Sequence, residues 1–447
     1  MVRRMRRLPL LLCLGLSVLA GCAEPRTPAV PVIPPTPATA ADASTTIELV
    51  ESAPTETTLD HADVRNASVV WVEMIDRAKT SIALSEFYAS DVEGEQVKPN
   101  RPSQLTPVID ALKKATNRGV RVRFLADKSF APKYPSTIAT LEAAKVTVRT
   151  IDAGARYGGV QHSKYIVVDD EESFVGSQNF DWRALEHIQE IGARVHSKPF
   201  ASALLDVFET DWALTQAAAM VRAKAAAGPR AAIKTITGET VSLYASPKDW
   251  IPDETHWDLT HLVAMLDAAR SSIAIQVLTY ATTNRDKTPF TTLDEAVRRA
   301  AGRGVKVRLL VSHWGANGHA RSAVEALGGV GNVEVRVIEI PKFSGGDIPF
   351  ARVSHAKYMV VDDRAAWIGT SNWEGDYFTK SRNVAVVSEG GALAPRLGRI
   401  FDDGWTSAYT KPLASTGAPA TSAPATGGAR APGGSGSRPS SSGPARP

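Results

Sequence analysis

Two stretches of the chain, HSKYIVVDDEESFVGSQN (His162 to Asn179) and HAKYMVVDDRAAWIGTSN (His355 to Asn372), place the same residue types at the same spacing. In each, a histidine and a lysine stand at i and i+2, so on a strand an imidazole and an ammonium leave the same face. The apolar run that follows suits a central strand, the acidic residues after it make a turn, and a return strand ends at Gly-Ser or Gly-Thr. Such a hairpin brings Ser177 and Asn179, or Thr370 and Asn372, back beside the His-Lys edge. A phosphodiester needs a nucleophile, a proton donor for its alkoxide leaving group and cations on its non-bridging oxygens. Two such edges facing each other supply all three. One neutral imidazole would attack phosphorus to form a phosphohistidine, and the other would protonate the leaving oxygen and then activate water or an acceptor alcohol. Lys164 and Lys357 would hold the equatorial oxygens, with Ser177, Asn179, Thr370 and Asn372 as substrate-binding donors.

Taken singly, a histidine, a Gly-Ser pair and an Asp after an apolar run all have structural explanations. The joint spacing, intact twice, is what points to chemistry. Asp169 and Asp362 complete the repeated catalytic pattern, yet they lie five residues after the lysine, near the far end of the strand. They read as turn anchors more than as groups that touch substrate.

The elements that must position these residues also repeat. MIDRAKTSIALSEFYAS (Met74 to Ser90) parallels MLDAARSSIAIQVLTYAT (Met265 to Thr282): a helix end, a turn, then an apolar strand. VIDALKKATNRGVRVRFLAD parallels LDEAVRRAAGRGVKVRLLVS, each an amphipathic helix stopped at Gly119 or Gly304 and followed by a strand. Alternating helices and strands predict an α/β fold of two similar α/β/α sandwich repeats, packed as a pseudo-dimer with the active site between them. The predicted organisation is residues 1–21 a signal peptide, 22–61 a Pro/Ala/Thr-rich tether, 62–221 the first repeat and 222–240 a linker. Residues 241–410 form the second repeat and 411–447 a disordered tail.

The pattern HxK, four residues, D, six residues, G[ST]xN, in two copies, resembles the signature of the phospholipase D superfamily across roughly residues 62 to 410. NFDWRALEHIQEIG, GTSNWEGDYFT and GVKVRLLVSHWG look most like one branch of it. That branch holds membrane-anchored lysosomal members that digest single-stranded nucleic acid from its 5′ end, and poxvirus envelope phospholipases. The resemblance implies a phosphoric diester hydrolase that works through phosphohistidine. It also implies an acid, eleven residues after the motif's asparagine, that orients the first histidine. Glu190 stands there in the first copy and Asn383 in the second. On that basis His162, backed by Glu190, is expected to be the nucleophile and His355 the acid/base, with Glu186 and Glu374 as competing acids. The scheme calls for no metal and no cofactor, since the lysines fill the cation's role.

The ends of the chain bear on location. Arg3, Arg4, Arg6 and Arg7 precede an apolar run and Leu19-Ala20-Gly21-Cys22, which resembles a bacterial lipobox. Lipidation at Cys22 would anchor the protein to the cell envelope, and Ala23 after it implies the outer membrane, facing the periplasm, in a Gram-negative host. Those four arginines equal the chain's net charge of +4, and Lys411, Arg430, Arg438 and Arg446 lie in the acid-free tail, so residues 22 to 410 carry a net charge of −4. A global basic track for nucleic acid is therefore absent. Charge and anchor favour phospholipid hydrolysis or transphosphatidylation. The alternatives are a 5′ exonuclease on single-stranded nucleic acid, held by aromatics such as Phe87, Tyr88, Trp314, Trp373, Tyr377 or Phe378, and a non-catalytic module that binds phosphorylated ligands. Two copies in one chain make no protein partner obligatory.

Overall fold

The computed structural model describes residues 45–92, 102–216 and 232–413. Cys22, the signal-like leader and most of the tail lie outside the described residues. Each repeat builds one large mixed sheet, and the first repeat adds a two-stranded pairing of Ala89–Ser90 with Phe180–Asp181. The first is eight-stranded, in spatial order Arg65–Asn66, Thr46–Ser52, Glu190–His196, Glu172–Gly176, Tyr165–Val168, Ser81–Ser85, Arg121–Asp127, Thr147–Ile151. The second is nine-stranded: Ile233–Lys234, Thr240–Ser246, Asn383–Glu389, Ala365–Gly369, Tyr358–Val361, Ser272–Val277, Lys306–Ser312, Val333–Ile338, Thr410–Pro412.

Two boundaries differ from the sequence reading. Thr46–Ser52 falls within the segment read as tether, yet it pairs antiparallel with the whole of Glu190–His196. Its partner strand gives its backbone a ladder and its apolar residues a core, which composition alone does not register. Thr410–Pro412 likewise reaches into the segment read as tail and closes the second sheet against Arg336–Ile338.

Strand alternation explains the layering. Tyr165 and Val167 on one face, with Tyr358 and Val360 from the other repeat, enter a shared core with the helices Lys198–Leu214 and Leu393–Thr406. Their neighbours Ile166 and Val168 turn to the first repeat's own core, and Met359 and Val361 to the second's. Each repeat thus buries both faces of its central strands, as continuous apolar runs require. The two helices of the shared core reach across: Lys198–Leu214 touches Thr240–Ser246, and Leu393–Thr406 touches Thr46–Ser52.

Polar bonds lock the repeats at the same seam. Arg382 donates from Nε and Nη2 to the two oxygens of Asp211 at 2.8 and 2.9 Å, both residues fully buried. Its remaining donors go to the carbonyls of Ser246 and Trp250. A buried guanidinium whose donors are satisfied in this way fixes geometry more than it adds stability. Backbone closes in too: a Cβ built on Gly159 would stand 2.0 Å from the carbonyl oxygen of Lys380, so only glycine permits that approach.

Candidate active site

The motif strands are shorter than the motifs. Regular pairing starts at Tyr165 and Tyr358, so His162-Ser163-Lys164 and His355-Ala356-Lys357 form the extended approach to each strand. These approaches are held by the opposite repeat. The His162 N–H donates to the Arg382 carbonyl at 3.0 Å, and the His355 N–H to the Gln189 carbonyl at 2.9 Å. The return N–H groups of Arg382 and Gln189 donate to Val160 and Val353, completing two short parallel bridges across the seam. Beneath them, Gln276 Nε2 donates to Gln189 Oε1 and Ser354 Oγ at 3.0 and 2.8 Å, and Gln161 Nε2 is bonded to Ser85 and Ser163.

The orientation of the histidines overturns one expectation. Glu190 does not back His162; its carboxylate lies 2.9 and 3.0 Å from Nδ1 of His355. His162 Nδ1 instead lies 3.0 Å from Oδ1 of Asn383. The cause is the seam: Glu190 and Asn383 begin strands that sit beside the other repeat's His-Lys edge. Asn383 Nδ2 donates to the Tyr377 carbonyl at 2.8 Å, which fixes Oδ1 as the acceptor and puts the proton on His162 Nδ1. In both histidines Nδ1 is occupied, leaving Nε2 available to the cleft that both line.

The environments of the two rings differ. His162 is wedged edge-on between Phe87 and Tyr377, with ring centroids at 5.0 and 4.9 Å. Burial, then Lys164 and Lys357, hold its imidazolium well below the usual histidine range. His355 is also pushed well down, by burial and then by Lys357 and Lys164, while burial drives Glu190 up to about 8 against the pull of Lys357. Burial thus disfavours charge on both members of the Glu190–His355 pair.

Both lysines are fully buried, and each ammonium donates to the carbonyl of its own motif histidine, Lys164 to His162 at 2.6 Å and Lys357 to His355. An ammonium has three donors, so each retains capacity for a phosphate oxygen. Burial lowers Lys164 to about 7, with Glu86 and then Glu190 pulling it back up. Lys357 is pushed well below its ordinary value by burial, against Glu190.

The remaining motif residues divide. Asn179 and Asn372 line the cleft, and the Oδ1 atom of each has no hydrogen-bond partner among the described residues. Ser177 and Thr370, expected on substrate, instead clip strands. Ser177 Oγ accepts from the Ile191 N–H at 3.1 Å, and Thr370 Oγ1 accepts from the Val384 N–H at 3.1 Å and lies 2.9 Å from Asn383 Oδ1. They hold the strands that carry Glu190 and Asn383, and both are fully buried.

Asp169 and Asp362 are far from this chemistry, which corrects their inclusion in the catalytic pattern. Asp169 accepts from the backbone N–H groups of Lys79, Thr80 and Ser81 at 2.8 to 2.9 Å, and Asp362 from those of Arg270, Ser271 and Ser272 over the same range. Both sit at positive φ, 55° and 54°, in the tight hairpin turn, where a short polar side chain is well tolerated. Each therefore ties its turn to the start of the neighbouring central strand. The competing acids are engaged elsewhere: Glu186 accepts from the Gln104 N–H, and Glu374 is bonded to Thr279 and lies 3.6 Å from His319.

Of the aromatics considered for stacking, Phe87, Tyr88, Trp314 and Tyr377 line the cleft, whereas Trp373 and Phe378 are core. Sequence reasoning missed Arg285 at the cleft and a chamber of about 840 Å³ that shares Leu278, Arg285, Trp314, Phe350, Asn372 and Tyr377 with it. Among the described residues, no three His, Cys, Asp or Glu side chains gather as a metal site.

Comparison with known proteins agrees with the doubled motif. The family model described as "Cardiolipin synthase, PLD-like domain" matches residues 71–212 and 262–405. "Phospholipase D Z" of Dictyostelium discoideum is 30% identical over 393 residues, covering 82% of this chain and 91% of the relative. The human "5'-3' exonuclease PLD3" is 31% identical over 397 residues, covering 82% and 80%. Among solved structures, the phosphatidylserine synthase of Haemophilus influenzae Rd KW20 superposes with a TM-score of 0.55 at 13% identity, over 77% of this chain and 85% of that one, a likeness of fold. With two copies of the domain and two copies of the motif edge converging on one cleft, the chain belongs to the phospholipase D superfamily.

Proposed function

We propose that the protein is a phosphodiesterase that works through a phosphohistidine on His355, and that its substrate is single-stranded nucleic acid degraded from an end. The nucleophile moves from His162 to His355 because the carboxylate does. Glu190 offsets the positive charge that develops on the ring as Nε2 bonds to phosphorus. His162, backed by a neutral amide and lined by aromatic rings, is the stronger acid and donates its Nε2 proton as the P–O bond breaks. It then accepts a proton from water, whose oxygen displaces phosphate from His355. Lys164, Lys357, Asn179 and Asn372 bind the non-bridging oxygens.

The observation that carries the substrate is the chamber beside the histidines. Its wall combines the ring of Trp314 with Asn284, Arg285, Lys287, Asn317 and His319. Ring faces interleaved with cations and amides suit a nucleotide strand. The relatives named as 5'-3' exonucleases point the same way. A phospholipid reading is favoured by the relatives named phospholipase D and by Phe350, 44% exposed at the rim of the cleft. A lipid anchor at Cys22, placing the enzyme at the envelope, belongs with either; Cys22→Ser should move the protein from the membrane to the soluble fraction.

The test is a panel: fluorescent single-stranded oligonucleotides with 5′-hydroxyl or 5′-phosphate, beside phosphatidylcholine and phosphatidylglycerol with labelled head groups. Progressive release of nucleotides, lost in Arg285→Ala by a raised KM, supports the proposal. Head-group release without nucleotide release would replace it with a phospholipase. Turnover of neither, with phosphate ligands still bound, would leave a binding module.

A further inference from the structure

Glu86 is a carboxylate that the scheme above does not use, and its position is unusual. It follows the strand Ser81–Ser85 and is fully buried, and its carboxylate oxygens have no side-chain hydrogen-bond partner among the described residues, only the backbone N–H of Phe180 reaching toward them. The second repeat supplies a control. Ala89 pairs with Phe180 as Tyr280 pairs with Trp373, and Ser81 and Ser272 open equivalent strands, so Val277 occupies the place of Glu86. The fold at this point therefore accepts an apolar side chain, and the carboxylate needs a separate explanation.

A buried carboxyl with so few donors is costly as an anion unless a cation compensates it. The cation acting on Glu86 is Lys164, and the backbone N–H of Phe180 adds a second favourable dipole. Lys164 in turn faces Glu190 from the strand Glu190–His196, while His162, His355 and Lys357 all feel its charge. Glu190 is already committed to His355, so it serves Lys164 only at a distance. Burial drives Glu86 up and Lys164 down, and each one's charge opposes that shift in the other.

We propose that Glu86 is a positioning residue whose carboxylate is the private counter-ion of Lys164, keeping that lysine an ammonium ready for phosphate in the first repeat only. It rests on the phosphodiesterase reading but not on the choice of nucleic acid. In kcat/KM against pH, the free enzyme must hold a proton on His162 and one on Lys164. The alkaline limb therefore falls first with one proton, as His162 is lost, and then with two, near pH 7, where Lys164 follows. The sign is fixed: removing the carboxylate lowers the affinity of Lys164 for its proton, so the steepening moves to lower pH while the first fall stays in place.

The experiment compares wild type, Glu86→Gln and Glu86→Val with dinucleoside and glycerol phosphodiesters, whose alkoxide leaving groups need the His162 proton, as substrates. In parallel, tungstate binding is measured by calorimetry across pH, a readout that needs no turnover. The expected result is a steepening displaced by about one pH unit or more, and tungstate binding lost correspondingly earlier, with a cooperative melt retained. Either folded variant with wild-type pH dependence of tungstate binding overturns the proposal. Failure of both variants to fold overturns it as well, by making Glu86 a requirement of the fold. Absence of wild-type turnover with the tungstate shift intact would refute the phosphodiesterase reading and keep the counter-ion.

Discussion

The surroundings of His162 and His355 differ in one respect that outweighs their similarity. Both rings follow the same motif, bond through Nδ1 and sit beside a buried lysine. Yet the partner of one is the Asn383 amide and that of the other the Glu190 carboxylate. Each partner comes from the opposite repeat, so a duplicated sheet yields two inequivalent imidazoles without altering either motif. Opposite chemical jobs are assigned by what stands behind a ring, which is how one residue type serves as both nucleophile and acid.

The sharpest way to break this comparison is to remove each ring. His355→Ala should cost about 10⁴-fold or more in kcat/KM and leave no phosphoenzyme in acid-quenched mass spectra. His162→Ala should cost about 10²- to 10⁴-fold on alkoxide leaving groups yet keep a burst on a p-nitrophenyl ester, which departs without a proton. The reverse pattern would return the nucleophile to His162. Next come the lysines: Lys357→Met and Lys164→Met should each lower kcat/KM by about 10²- to 10³-fold by steady-state assay, the loss of one oriented donor.

Exchanging the partners has a smaller effect and a clearer sign. Glu190→Gln makes both rings amide-backed and should slow phosphoenzyme formation by about 10²-fold in rapid quench. His162 must be protonated to act, so activity is present below its pKa and lost as pH rises through it; with that pKa held well below 6.5, the optimum is acidic. Asn383→Asp gives the ring a carboxylate and should move this alkaline limb up by about one pH unit or more, at a lower maximal rate. The smallest effect on chemistry belongs to the turn aspartates. Asp169→Asn and Asp362→Asn should each lower stability by about 1 to 3 kcal/mol in urea melts and leave kcat unchanged.

Much of the site was legible because its spacing is local. The His-Lys edge and the hairpin return depend on residues within a score of positions, strand periodicity carries that information, and the second copy repeats the same local pattern. What depended on contacts between repeats was not legible. His355 and Glu190 are 165 positions apart, and nothing in either motif says which ring the acid will face. The motif position of Ser177 and Thr370 suggests phosphate ligands, while their bonding to Ile191 and Val384 is visible only once the neighbouring strand is placed. Thr46–Ser52 was hidden by the Pro/Ala-rich segment before it. Glu86 did leave a signal, a carboxylate in an apolar run where the other repeat reads SIAIQV.

The short backbone bridges beneath the histidines have a mechanical consequence. Because the His162 and His355 N–H groups are bonded to carbonyls of the opposite repeat, the gap between the two reacting rings is a main-chain dimension, not a side-chain one. The slot behaves as a fixed gauge: it is set when the chain folds, is indifferent to repacking of the core around it, and admits only what already fits its width. Substrate must then bring its own flexibility to the enzyme.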